Sequence, residues 1–358
     1  MGAAETMIEF DRVSIVFGDD PERALPAMDA GRDRAAIQQE TGQVMGAHDC
    51  SLRVAEGEIS VLMGLSGSGK STLLRAVNGL NPVTRGAMRV RDRDGGMLDV
   101  TDCTPAALRT LRRGTVSMVF QNFALLPWRS VLENVALGLE LSGLSKGERE
   151  ARAREVLDTV GLTDWAERQV SELSGGMQQR VGLARAFSTD APILLMDEPF
   201  SALDPLIRTR LQDELLELQE RLRCTILFVS HDLEEAVKLG NTITIMEGGR
   251  IVQTGAPKDI VLHPADDYVA DFVAELNPLS VLRVADVMGP VATTPDPARF
   301  VAPEAPLRET LALFASDERH LWAGTPGDVR GELGPRAVFA VLKPQGDREP
   351  EVADAGAG

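Results

Sequence analysis

Cysteine and aromatic residues are scarce in this sequence. Its 358 residues include three cysteines, four histidines and one tyrosine, and Phe, Trp and Tyr together make up 4%. Cys50, Cys103 and Cys224 are odd in number and far apart, which excludes a disulfide framework and matches no metal-binding spacing. We therefore expect reduced thiols, as in a cytosolic protein.

Long apolar runs and positive charge are also lacking. No apolar run approaches the roughly 20 residues that span a bilayer, and the N-terminus has no basic region followed by an apolar stretch that would predict a secretory signal. Lys and Arg number 37 against 54 Asp and Glu, a net charge of −17. A chain this acidic is a poor binder of nucleic acid or anionic lipid, so we expect any membrane contact to come through a partner protein.

The sequence does contain a regular alternation of short apolar segments and longer amphipathic ones. Apolar residues make up 44% of the chain, as in an ordinary globular protein. The short apolar segments predict buried strands of a parallel sheet, and the longer segments with a 3.6-residue period predict helices. The predicted strands are 59–63, 116–120, 193–196 and 225–229, and the predicted helices are 70–80 and 206–222. Strands alternating with helices predict an α/β fold.

The character of the sequence changes along the chain, and its length suggests about two domains. Residues 7–17 and 51–54 alternate as strands do, and 21–39 predicts a short helical insertion. After Asn277 and Pro278 the sequence becomes rich in Pro, Ala and Gly, so we place a domain boundary near residue 280. The predicted divisions are a domain at 1–280, with a helical subdomain inserted at about 122–190, and a C-terminal appendage at 281–358 that ends in a flexible tail from Lys343.

A phosphate-binding loop is predicted at Gly64–Ser71, which reads G-L-S-G-S-G-K-S and satisfies G-x-x-x-x-G-K-[ST]. It follows a predicted strand and opens a predicted helix, as the motif requires. Its glycines let successive N–H groups point at phosphate oxygens, and the helix N-terminus adds partial positive charge. We expect Lys70 to reach the β- and γ-phosphates and Ser71 to ligate Mg²⁺. The predicted nucleotide-binding residues here are Gly64, Ser66, Gly67, Ser68, Gly69, Lys70, Ser71 and Thr72.

Two acids, Asp197 and Glu198, end the apolar segment that starts at Ile193. Carboxylates next to a buried strand need a partner. A bound Mg²⁺ supplies one for Asp197, and Glu198 is then placed to orient and deprotonate an attacking water.

The segment Leu173–Arg180 reads L-S-G-G-M-Q-Q-R and precedes a predicted helix. Together with the phosphate loop, it resembles the signature of ATP-binding cassette (ABC) proteins, and the chain is similar to the ATPase subunit of an ABC transporter. The resemblance implies a P-loop NTPase with an antiparallel N-terminal β part. It also implies a homodimer, in which Ser174, Gly175 and Gly176 hold the γ-phosphate of ATP bound to the other subunit.

The same resemblance implies roles for four further residues. Gln121 is expected to contact Mg²⁺ and the water, and His231, in V-S-H-D, to contact the γ-phosphate. Asp204, in S-A-L-D, matches a loop that crosses the dimer interface. Phe17 has two equal readings, since an aromatic from this early region stacks on adenine in the family but could equally be a core residue.

Longer segments, such as VFQNFALLPWRSVLENVALGLEL and DEPFSALDPLIRTRLQDELLELQ, resemble ATPase subunits of bacterial quaternary-amine importers over roughly residues 7–282. This implies a separate permease, a substrate-binding protein and a peripheral place on the cytoplasmic face of the inner membrane. We favour the choline type over glycine betaine or proline betaine. Residues 301–342 faintly resemble at most one cystathionine-β-synthase-type module. The alternatives are import of another small solute, a soluble ABC ATPase without a transport role, and a regulator that binds ATP without hydrolysing it.

Overall fold

The computed structural model describes residues 5–201, 203–317 and 319–342. The chain divides into two compact units, with the division between Thr254 and Gly255. The tail from Lys343, which the sequence predicts to be flexible, lies outside the described residues.

The strands agree with the predicted ones and add several that the sequence reading did not assign. In chain order they are β1 Thr6–Phe17, β2 Val44–Ala55, β3 Ile59–Met63, β4 Arg85–Arg91, β5 Met97–Asp99, β6 Val116–Val119, β7 Ile193–Asp197, β8 Thr225–Val229, β9 Thr242–Glu247, β10 Arg250–Gly255, β11 Phe300–Val301, β12 Leu321–Thr325 and β13 Asp328–Leu333.

The α-helices of the described residues are mostly short, and the longest follows β7. In chain order they are α1 Leu25–Asp29, α2 Arg34–Thr41, α3 Lys70–Ala76, α4 Pro105–Thr110, α5 Val131–Val135, α6 Leu137–Leu141, α7 Lys146–Thr159, α8 Gly175–Ser188, α9 Pro205–Leu222, α10 Leu233–Leu239, α11 Pro257–Leu262, α12 Asp267–Val273, α13 Val284–Val287, α14 Leu307–Ser316 and α15 Pro335–Val341.

The centre of the first unit is a six-stranded sheet in the order β10-β9-β3-β8-β7-β6. The pairs from β9 to β6 are parallel. Every residue of β3, β7 and β8 is buried, because both faces of a parallel sheet are covered. On one face α3 buries Leu73 and Leu74 in the same core as Leu62, Leu195 and Leu227. This packing fixes the start of α3 at the end of β3.

A second, four-stranded sheet in the order β2-β1-β4-β5 is antiparallel. The insertion predicted at 21–39 lies between β1 and β2 and forms α1 and α2. Asp33 begins α2, its side chain accepting a hydrogen bond from the Ala36 N–H at 2.8 Å, and Gly42 ends the helix at φ +72°. A small core of Val16, Met28, Ile37 and Met45 holds the insertion against its own strands.

Helices α5 to α8 lie between β6 and β7, where the sequence predicts the inserted helical subdomain. Ser130 and Ser145 cap α5 and α7 through reciprocal bonds with Glu133 and Glu148. Such capping boxes satisfy N–H groups at a helix start that have no partner within the helix.

The second unit contains helices α11 to α15 and a three-stranded sheet in the order β11-β12-β13. Its core includes Leu279, Leu307, Phe314, Leu321 and Leu333. The division at Gly255 lies about 25 residues before the boundary predicted near residue 280, because α11 and α12 cluster with the second unit. No helix within the described residues is long and apolar enough to cross a membrane.

Candidate nucleotide-binding site

The predicted site residues converge because four strands end at the same edge of the parallel sheet. Leu62 of β3 and Asp197 of β7 both pair with Val229 of β8, and Val119 of β6 pairs with Met196. The phosphate loop follows β3, Gln121 follows β6, Asp197 and Glu198 end β7, and His231 follows β8. Ligands bind at the carboxyl ends of strands in such sheets, so the topology alone brings these segments together.

The loop from Gly64 to Gly69 depends on its glycines. Gly64, Gly67 and Gly69 have φ of +140°, +79° and +102°. A Cβ at Gly64 would lie 2.1 Å from the Met246 carbonyl oxygen, and one at Gly69 would lie 2.5 Å from the Gly46 carbonyl oxygen. At Gly64 and Gly69 a side chain fits neither the backbone angle nor the space, so this loop conformation requires glycine at both positions.

Lys70, the first residue of α3, is buried with 5% of its surface exposed. Its Nζ donates hydrogen bonds to the carbonyl oxygens of Gly64 and Leu65, at 2.8 and 3.0 Å. Burial lowers the pKa of Lys70, while Glu198 and Asp197 act in the opposite direction. The ammonium group is therefore held at the loop on two neutral oxygens, where a phosphate is the stronger partner.

Asp197 is 2% exposed, and each of its oxygens has a partner. The Ser71 hydroxyl donates to Oδ1 at 2.6 Å, and Arg75 donates to Oδ2 at 2.8 and 3.1 Å. A hydroxyl and a carboxylate oxygen side by side fit Mg²⁺, which prefers oxygen ligands. No group of three or more His, Cys, Asp or Glu in the described chain is placed to hold a metal, so a magnesium ion here would take its other ligands from phosphate and water.

Glu198 has a left-handed backbone, with φ +48°, which costs energy for a residue other than glycine. Its N–H donates to the Val229 carbonyl oxygen at 3.1 Å, which holds that conformation. Gln121 Nε2 donates to Glu198 Oε2 at 3.3 Å, and His231 Nδ1 lies 3.3 Å from the same oxygen. The three predicted catalytic side chains therefore meet at one carboxylate oxygen.

The segment that contains His231 is stabilised by hydrogen bonds from residues to which the sequence analysis gave no role. Glu235, 6% exposed, accepts hydrogen bonds from the Ser230 hydroxyl and, at 3.0 Å, from Gln212 of α9. Arg208 of α9 donates to Asp232 at 2.8 Å. Burial raises the pKa of Glu235. Two bonds therefore join α9 to the segment just after His231, one at Asp232 and one at Glu235 of α10.

Residues of the phosphate loop, Glu198 and His231 line a cleft of about 450 Å³, which is also lined by residues of the antiparallel sheet and its insertion. Phe17, at the end of β1, is 37% exposed and lines the cleft. A Cβ at Gly46 would lie 2.7 Å from the Phe17 ring and 2.8 Å from the Thr72 methyl group. The ring therefore lies at the cleft wall near the phosphate loop rather than in the core, and its stacking on adenine stays a prediction.

The signature residues do not line this cleft. Ser174 and Gly175 are exposed, and Ser174 caps α8 by accepting a hydrogen bond from the Met177 N–H at 3.4 Å. Asp204 is likewise exposed and caps α9 through the Ile207 N–H at 3.1 Å. Within one chain both segments act only as helix caps.

Comparison with known proteins places this geometry in a family. A profile described as ABC transporter matches residues 47–201. The glycine betaine/proline betaine transport system ATP-binding protein ProV of Escherichia coli K12 is 44% identical over 312 residues, which are 87% of this chain and 76% of ProV. The chain belongs to the ABC transporter family of ATP-binding subunits. As such it binds and hydrolyses ATP.

Two further proteins are similar to this ABC ATPase over different shares of its length. The trimethylamine N-oxide transport system ATP-binding protein TmoW of Ruegeria pomeroyi is 41% identical over 91% of this chain and 94% of its own length. MJ0796, a bacterial ABC transporter cassette solved as a dimer, is 29% identical, with a TM-score of 0.59 over 70% of this chain and 99% of its own. It was also solved in a post-hydrolysis state with ADP and Pi.

The ABC ATPase thus brings together the predicted phosphate-loop residues with Gln121, Asp197, Glu198 and His231, and leaves the signature apart. Sequence reasoning missed Arg34, which lines the cleft from the insertion. A lone arginine at the start of a short helix carries no motif, so only its position in the fold could have identified it.

Proposed function

We propose that this ABC ATPase energises the import of small quaternary amines through a separate permease. The proposal rests on ProV and TmoW, whose names assign them to transport of betaines and of trimethylamine N-oxide. Choline is our first choice of substrate, from the resemblance of the motif-bearing segments. The ATPase itself does not select the substrate in this family, so a substrate-binding protein is the expected partner that does.

The working unit we propose is a homodimer in which each ATP lies between two chains. One chain supplies Lys70 and Ser71, and the other supplies Ser174 and Gly176. The observation that carries this proposal is the exposure of the signature segment away from its own cleft. The dimer of the related MJ0796 cassette supports it.

For hydrolysis, we assign a role to Glu198 and to each of the charged and polar residues around it. Lys70 would donate to the phosphates, and Ser71 and Asp197 would hold a magnesium ion, which would neutralise phosphate charge when bound. Glu198 orients a water and accepts its proton. Gln121 and His231 lie within 3.3 Å of the same Glu198 oxygen and position it, and His231 also donates to the γ-phosphate. Opening and closing of the dimer with ATP occupancy would follow from these contacts.

The permease is expected to dock beside Gln121, on the start of the helical subdomain. Trp128 is 72% exposed there, and an exposed Trp of this kind is typical of a binding surface. Gln121 is bonded to Glu198, so a change at Glu198 could move Gln121. That movement would be transmitted to the surface around Trp128 through the short segment between the two residues. The C-terminal appendage predicted at 281–358 is proposed to be a structural or dimerisation element of the membrane-peripheral, cytoplasmic complex.

Uptake measurements test the substrate. The chain is produced with its own permease and binding protein in a host that lacks quaternary-amine uptake, and labelled choline, glycine betaine, proline betaine and trimethylamine N-oxide are compared. Uptake of choline in preference to the betaines, lost with Glu198→Gln, is the expected result. Preference for a betaine would overturn the choline assignment, and uptake of none of them would overturn the quaternary-amine proposal.

A further inference from the structure

Arg34 reaches from the insertion into the nucleotide cleft. It is the first residue of α2, and Asp33 caps that helix. Its Nη1 donates to the Gly67 carbonyl oxygen of the phosphate loop, and its Nη2 donates to the Gly46 carbonyl oxygen at 3.0 Å. Arg34 therefore lines the same cleft as Lys70 and Glu198.

The guanidinium group of Arg34 has only neutral partners. No carboxylate among the residues that the structure describes pairs with it, and its Nε is buried without a hydrogen-bond partner. Burial lowers the pKa of Arg34. A cation withdrawn from water normally pairs with an anion, so the surroundings of Arg34 lack the partner that its charge requires.

Other arginines near the insertion differ in this respect. Arg32, two residues earlier and 60% exposed, pairs with Glu40 at 3.7 Å. Arg85, on the neighbouring β4, holds Asp29 through two bonds of 2.7 and 2.9 Å. Both point to an acid of the insertion. Arg34 instead points to the loop that is built to receive phosphate.

We propose that Arg34 is a further nucleotide-binding residue, which exchanges its carbonyl partners for phosphate oxygens when a nucleoside di- or triphosphate enters the cleft. The planar guanidinium fork matches phosphate geometry, and a phosphate supplies the missing counter-ion. The insertion would thereby sense nucleotide occupancy through the first residue of α2. This inference rests on the assignment of the cleft as the nucleotide site.

The test compares Arg34→Gln, Arg34→Lys and the matched control Arg32→Gln in the full chain. Calorimetric titration with ATP, ADP and adenosine, in EDTA so that no turnover occurs, gives the affinities. Arg34→Gln is expected to weaken ATP and ADP about tenfold or more and to leave adenosine unchanged. It should also flatten the salt dependence of ATP affinity, since one cation–phosphate pair is lost. Arg32→Gln should match the wild type.

Arg34→Lys keeps the charge and loses the fork, so its ATP affinity should lie between those of the wild type and Arg34→Gln. It also decides the matter if Arg34→Gln does not fold, because wild-type ATP affinity in Arg34→Lys overturns the proposal. Weaker ATP binding with the wild-type salt dependence would mean that Arg34 only shapes the phosphate loop, and no loss of ATP affinity would mean that it does not touch the nucleotide. Either result rejects the inference.

Lys70→Ala separates this inference from the assignment of the site. If Lys70→Ala abolishes ATP binding and Arg34→Gln does not change it, the cleft stands as the nucleotide site and only the role of Arg34 is rejected. If Lys70→Ala binds ATP normally, the site itself is wrong.

Discussion

Two buried carboxylates, one in each compact unit, have opposite surroundings. Asp197 ends β7 beside Ser71, which lines the proposed nucleotide cleft, and its partners Ser71 and Arg75 are both side chains. Glu332 lies within β13 and accepts hydrogen bonds from the Ala292 and Thr293 N–H groups, from the Thr293 hydroxyl at 2.7 Å and from His320. One acid lies at an open edge, and the other is enclosed by its own unit.

The contrast distinguishes an acid whose role is ligand binding, Asp197, from an acid whose role is to stabilise the fold, Glu332. Burial alone does not distinguish them, since Asp197 is 2% exposed and Glu332 6% exposed. The partners do distinguish them, because fixed backbone donors satisfy Glu332 permanently. Changes beside Asp197 should therefore alter binding and turnover and leave folding intact, whereas changes at Glu332 should do the reverse.

The largest expected effect is that of Glu198→Gln, beside Asp197. Loss of the proton acceptor should lower ATP turnover about 10²- to 10⁴-fold and leave ATP affinity near that of the wild type. Phosphate release and calorimetric titration measure the two quantities. Glu234→Gln, an exposed acid three residues after His231, is the matched control and should turn over normally. Near-normal turnover in Glu198→Gln would refute the assignment of this base.

Lys70→Ala should weaken ATP binding about 100-fold, because two charge-assisted bonds to phosphate are lost. Its thermal midpoint should change little, since the bonds it makes in the free chain are to carbonyls of the loop itself. Calorimetric titration and thermal unfolding give both numbers. Lys146→Ala, an exposed lysine on α7, should bind ATP as the wild type does. A large fall in stability without weaker binding would place Lys70 with the structural residues.

Ser174→Arg tests whether the signature acts on the nucleotide of another chain. A single chain should still bind ATP with wild-type affinity, because Ser174 does not line its own cleft. Turnover should fall about tenfold or more, since the hydrogen bonds to phosphate across the dimer are lost. Ser145→Arg, at another serine helix cap, controls for the cost of losing a cap and should keep its turnover. Weaker ATP binding by the isolated Ser174→Arg chain would contradict the two-chain site.

The smallest effect, confined to stability, is expected for Glu332→Gln. Burial raises the pKa of Glu332, but the hydrogen bonds from His320, Thr293 and the N–H groups outweigh it and lower the pKa to about 2. The stabilisation is therefore complete above the ordinary value of 4.5 and is lost as the pH falls toward 2.

At pH 7 Glu332→Gln should destabilise the second unit by about 1–3 kcal/mol, with a smaller difference near pH 3. Hydrogen exchange of residues 321–333 in the full chain measures this, and ATP affinity serves as the control. A loss of stability that does not depend on pH would show that the charge of Glu332 is not what stabilises the unit. A loss of ATP affinity in Glu332→Gln would show that Glu332 also affects nucleotide binding and that the two acids do not have separate roles.

The sequence predicted β7 and α9 with close to correct bounds, whereas the helix predicted over 70–80 begins at Lys70 as expected but ends at Ala76. The segment 193–196 became β7 with Asp197 added, and 206–222 became α9 with Pro205 added. It did not assign β4, β5, β9 or β10. These strands depend on neighbours from other parts of the chain, because strand preference reflects packing against cross-strand partners more than an intrinsic property of the residues.

What the sequence determined by itself was local: the phosphate loop, whose glycines fix backbone angles, and the serine and aspartate caps that begin α8 and α9. These features depend on residues a few positions apart, so a linear pattern contains them. Only the tertiary structure decided that Arg34 meets Gly67, that Gln212 meets Glu235 and that Glu332 meets Thr293. Those contacts join residues 20 or more positions apart, and the packing of separate elements, which no short motif encodes, brings them together.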